Sequence, residues 1–134
     1  MHRTGAMLSV CFCAGMLGAL ATRLFAWLAV RAGMERLSDI LLQPNWHLLS
    51  GGLWGLVYFI TVAGPRSRSH WIRKGLWAAI PPVAWHLLYF FPNQTDHGVL
   101  GLGLGIGVPL LVVGHYLIWG FFTGFFARLL WGRP

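Results

Sequence analysis

Long apolar runs separated by short polar stretches dominate the chain. Four of them stand out, at residues 6–30, 47–63, 75–91 and 98–127. The last is the longest: thirty residues from Gly98 to Ala127 contain no Lys, Arg, Asp or Glu. A helix rises ~1.5 Å per residue and ~20 apolar residues cross a bilayer, so this run exceeds one crossing. Its surplus lies at the start, where Gly98, Gly101, Gly103, Gly105 and Gly107 crowd together. Each costs ~1 kcal/mol against alanine in a helix, so the segment is expected to be bent, tightly packed or partly unwound. The pattern as a whole predicts an all-α, four-helix transmembrane bundle in a single domain.

The connections refine this picture. Between the first two runs, Met34, Leu37 and Leu41 fall at i, i+3 and i+7 with Glu35, Arg36 and Asp39 between them. That spacing predicts a short interfacial helix lying on the membrane surface, ended by Pro44. In the third run Pro81 and Pro82 remove two backbone donors and predict a kink. Gly51 and Gly55 in the second run, and Gly120 and Gly124 in the fourth, stand four apart. This spacing lets helix backbones approach closely where lipid gives no hydrophobic drive. Gly101 and Gly105 are read as packing positions of the same kind. The likeness between His47-Gly51-Gly55 and His115-Gly120-Gly124 suggests two helical hairpins in parallel repeat.

Composition supports the class. Hydrophobic residues make up 57% and charged residues 10%, against about 25% charged in a soluble domain. The net charge is +7, but the basic residues flank apolar runs, so they speak for topology and against nucleic-acid binding. With four spans, one side carries Arg3, Arg66, Arg68, Arg73, Lys74, Arg128 and Arg133 and no acid; the other carries Arg31 and Arg36 with all three acids, Glu35, Asp39 and Asp96. The positive-inside rule then puts both termini in the cytoplasm. Ala19-Leu20-Ala21 resembles a signal-cleavage site, but the apolar run resumes after Arg23, so the segment is read as a retained first span. Arg23 within it is expected to snorkel to the headgroups.

Candidate chemistry is sparse. Cys11 and Cys13 stand two apart on a helix and face different ways. The glycine series fails G-x-G-x-x-G in every register, because the sixth position is Ile106, Val108 or Leu110. No acid lies within a span and no acid–base set shares a depth, which argues against an enzyme. The histidines alone form a pattern: His86 and His115, with His47 as a substitute, are the pair that would hold a haem b or flank a quinone between helices. No metal site is expected. The function expected from these features is a non-catalytic accessory or structural subunit, in contact with lipid and other membrane subunits. The alternative is a cytochrome-like subunit binding haem b or quinone.

One resemblance adds to this. Gly52-Leu53-Trp54-Gly55-Leu56-Val57-Tyr58, the segment His70 to Gly75, Trp85-His86, the glycines from 101 to 107, and Gly114-His115-Tyr116 leading to Gly120 and Gly124 carry it. Over this stretch, a little more than half the chain, the sequence resembles small four-helix proteins of the bacterial inner membrane. The resemblance implies the four-helix architecture and no catalytic residue.

Overall fold

The computed structural model describes residues 2–33, 47–63, 70–94, 98–104 and 106–131. The described residues are helical with no strand. Helix α1 spans His2–Arg31 and α2 spans His47–Ala63. A third column is segmented into α3 (Trp71–Ala78), α4 (Ile80–Trp85), a π-helical turn (His86–Phe90) and α5 (Phe91–Gln94). A 3-10 segment, Val99–Leu104, then leads into α6, Gly107–Trp131. The expected interfacial helix between the first two runs, the loop residues 66–69, His97 and Gly105 lie outside the described residues.

Two of these helices, over Gly5–Leu28 and Pro109–Trp131, are long and apolar enough to cross a membrane. The other two columns are shorter in uninterrupted helix, for visible reasons. Helix α2 has 17 residues, with an apolar stretch at Leu48–Ile60. The third column breaks at Ala79, two residues before the Pro81-Pro82 pair, because neither proline can donate to the carbonyl a turn behind. The Ala79 N–H compensates by donating to both Gly75 O at 3.2 Å and Leu76 O at 3.3 Å.

The fourth run also departs from a single helix. Gly98 has a φ of +77° and Leu100 a φ of +61°, so the chain turns into the 3-10 segment, and α-helix begins only at Gly107. Leu100 packs with Leu87 of the π-helical turn and Val112 of α6. The glycine-rich entry thus runs as a tighter 3-10 helix over Val99–Leu104 and not as a continuation of the α-helix.

The helices alternate in direction, and glycine contacts fix their register. On α1, Cys11, Gly15 and Ala19 meet Gly51 and Gly55 of α2. On α3 and its C-terminal edge, Trp71, Gly75 and Ala79 meet Gly120 and Gly124 of α6. The two crossings match position for position. Sixty residues separate Cys11 from Trp71, Gly15 from Gly75 and Ala19 from Ala79; sixty-nine separate Gly51 from Gly120 and Gly55 from Gly124. In this register Tyr116, rather than His115, takes the place of His47. A third seam joins the hairpins. Gly18 of α1 abuts Trp119 and Thr123 of α6, and the Trp119 indole N–H donates to Gly15 O at 3.0 Å.

One backbone feature yields a test. His70, just before α3, sits in the left-handed region at φ 57°, ψ 43°, which costs a side-chain-bearing residue about 1–2 kcal/mol. Replacing His70 by glycine should leave thermal stability unchanged or raise it by up to about 1 kcal/mol. Valine, β-branched and ill suited to this region, should lower it by about 1–2 kcal/mol.

Candidate functional site

The histidine candidates meet different fates. His86 opens the π-helical turn and is 8% exposed. Inserting one residue per turn re-aims the side chains that follow, and such turns recur at functional sites. Here the turn presents His86 to α6, where its Nδ1 and the Tyr116 hydroxyl share a hydrogen bond at 3.1 Å, the imidazole tautomer deciding which atom donates. Trp85 stacks on Tyr89 with centroids 6.1 Å apart and meets Trp54 of α2 at 6.4 Å. An aromatic belt therefore runs from α2 through α4 to α6, with His86 enclosed within it.

His115 is half-buried beside Tyr116, their ring centroids 5.2 Å apart. Successive residues on a helix point ~100° apart, so with Tyr116 turned to His86, His115 leaves that face. His47 opens α2 four residues before Gly51, and His115 precedes Gly120 by five. Both therefore lie toward the same end of the bundle, on helices that run in the same direction. The structure brings His86 together with Tyr116. Beside this pair Leu87 and Val112 form a buried cluster, with Val83, Val113 and Tyr116 packed against them. Among the described residues, no group of three or more His, Cys, Asp or Glu is placed to hold a metal ion.

The glycines occupy a second constellation. A Cβ on Gly15 would collide with the Gly51 carbonyl oxygen and fall 2.9 Å from the Gly55 Cα. A Cβ on Gly75 would collide with the Gly120 carbonyl oxygen and fall 3.2 Å from the Gly124 nitrogen. Gly51, Gly55, Gly120 and Gly124 are thus backbone-to-backbone crossing points. Gly101 lies in the 3-10 segment. On either side of it, Gly98 and Gly107 have open space where a Cβ would stand.

Several contributors were hidden in the sequence. Tyr58 is fully buried and its hydroxyl donates to Trp71 O at 2.9 Å, tying α2 to α3. Thr22 donates to Ala19 O at 2.7 Å within α1. Gly75, read only as the first residue of the third apolar run, is the counterpart of Gly15. The readable signal was small residues four apart, as in Cys11, Gly15 and Ala19. No protein-family model, curated protein or solved structure matches the chain.

Proposed function

We propose that the protein is a four-span integral protein of the bacterial inner membrane, with both termini cytoplasmic, serving without catalysis as a small accessory subunit of a larger membrane assembly. The observation that carries this reading is where the residue types face. Glycine, small and hydrogen-bonding side chains lie at the helix seams, and large apolar ones face out. Only 39% and 33% of the apolar windows in the two longest helices are buried, whereas the core helix of a water-soluble globule is mostly enclosed. Ile60, Trp77, Leu88, Ile106 and Leu110 are each more than half exposed. Large apolar side chains exposed on every helical column suit contact with lipid or with another membrane polypeptide.

Two further features support the reading. At ~1.5 Å per residue, the 17 residues of α2 reach ~26 Å, near the lower limit for a span. Breaks such as the one at Ala79 are tolerated in a span where neighbours satisfy the freed backbone groups. The alternating helix directions bring the start of α1, the end of α2, the start of α3 and the end of α6 to one end. That end carries Arg73, Lys74 and Arg128, as the positive-inside rule requires of a cytoplasmic face.

An accessory subunit should co-purify from gently solubilised membranes with other polypeptides, and its visible spectrum should be empty. Native mass spectrometry with an absorption scan checks both. A Soret band that disappears in His86→Ala would overturn the reading in favour of a haem protein. A reporter fused after Pro134 should be active only in the cytoplasm; activity on the other side would refute the orientation.

A further inference from the structure

The matched hairpins also repeat a groove. One lies between α2 and α4, has a volume of about 360 Å³, and is lined in part by Leu53, Val57 and Trp85. The other lies between α1 and α6, has a volume of about 740 Å³, and carries Phe122, Phe126 and Phe25 at the positions sixty-nine and sixty residues away. The larger groove departs from its counterpart in holding Arg23; the matching position in the third column is Val83.

We propose that the α1/α6 groove seats one acyl chain of an anionic glycerophospholipid, with the phosphate drawn to Arg23. The proposal rests on the membrane reading above. Length is the first argument. On α1 the groove runs from Leu17 to Trp27, ten residues or ~15 Å of helix, which is half the ~30 Å hydrocarbon thickness and so one leaflet. Lining is the second: Leu17, Leu20, Phe122 and Phe126 offer only hydrocarbon and ring surface along it.

Charge is the third argument. Arg23, Trp27 and Arg31 stand at i, i+4 and i+8, one stripe of α1. The Arg31 guanidinium lies 4.4 Å from the centroid of the Trp27 ring that ends the groove. Along the stripe Trp27 stands between the two cations, with Arg23 inside the groove and Arg31 beyond it at the helix end, so tryptophan and a terminal arginine follow the apolar lining as interface and headgroup level would. Of the residues lining the groove, Arg23 alone is charged; Glu35, Asp39 and Asp96, which the topology assigns to the same side, lie outside the described residues. Arg23 reaches the phosphate by laying its methylenes along the groove with its head toward the mouth.

The test is native mass spectrometry of the detergent-extracted full chain with equimolar phosphatidylglycerol and phosphatidylcholine. One basic residue near a headgroup is worth about fivefold in affinity. The wild type should retain one phosphatidylglycerol with about fivefold preference, Arg23→Lys should keep that preference, and Arg23→Gln should bind the two lipids alike. Equal binding by the wild type, an unchanged preference in Arg23→Gln, or a dimer that excludes lipid would overturn the proposal. Alkaline washing of membranes separates the two failures. Release of the chain would sink both the membrane reading and the lipid site, whereas a retained chain lacking the preference sinks the lipid site alone.

Discussion

Gly15→Ala should destabilise the protein by about 3 kcal/mol, the upper end of the cost of overpacking. The new methyl group meets the Gly51 carbonyl and the Gly55 Cα. Both are backbone, so no rotamer change makes room and α1 must move away from α2. Gly75→Ala should cost a similar amount, because it places a methyl against the Gly120 carbonyl in the matching crossing. Two comparisons separate close approach from helix propensity. At Gly52 the methyl meets the Phe12 ring and the Met16 side chain, which can shift, so the loss should be smaller. At Gly114 nothing lies within 4 Å of the added carbon, so Gly114→Ala should gain about 0.5–1 kcal/mol. Thermal or denaturant unfolding in micelles measures all four. Equal effects at Gly15 and Gly114 would refute the seam.

Tyr58→Ala is the second large effect, expected to cost about 3–4 kcal/mol. Tyr58 belongs to a buried cluster with Met7, Cys11 and Ala14 of α1, Trp71 and Ala78 of α3 and Ala127 of α6. All four helical columns meet there, so the cavity left by the ring cannot be closed by moving one helix. Tyr58→Phe removes only the hydroxyl that donates to Trp71 O. Hydrogen bonds between helices in a bilayer average about 0.6 kcal/mol, and an ordinary one about 1, so this variant should lose no more than about 1 kcal/mol. Unfolding of the two variants side by side apportions packing and hydrogen bond. A loss in Tyr58→Phe as large as that in Tyr58→Ala would show the bond to dominate.

The helical class and the boundaries of α2 were legible because apolar runs bounded by Gly64-Pro65 and polar turns leave little choice. The break in the third column was legible from Pro81 and Pro82, since a missing donor acts locally. The glycine pairs of the second and fourth runs were legible as spacing. The faces they meet were not, because contact partners depend on tertiary register. Gly75 was obscured by the basic residues before it. Tyr116 was passed over for His115, since adjacent residues differ by ~100° in direction and composition cannot say which one faces inward. The π-helical turn at His86 left no mark in the sequence; Leu87 within it packs with Leu100 and Val112, contacts that only the tertiary arrangement shows.

The α1/α2 crossing is made wholly from residues before 64, while the α3/α6 crossing needs Gly120 and Gly124. On a ribosome, where chains emerge and fold from the N-terminus, the first hairpin can zip shut while half the polypeptide has yet to be translated. It then offers Gly18 as a finished notch into which Trp119 and Thr123 of the last helix can be laid. Biogenesis is thereby ordered by the chain itself, an early template followed by a late arrival that completes it.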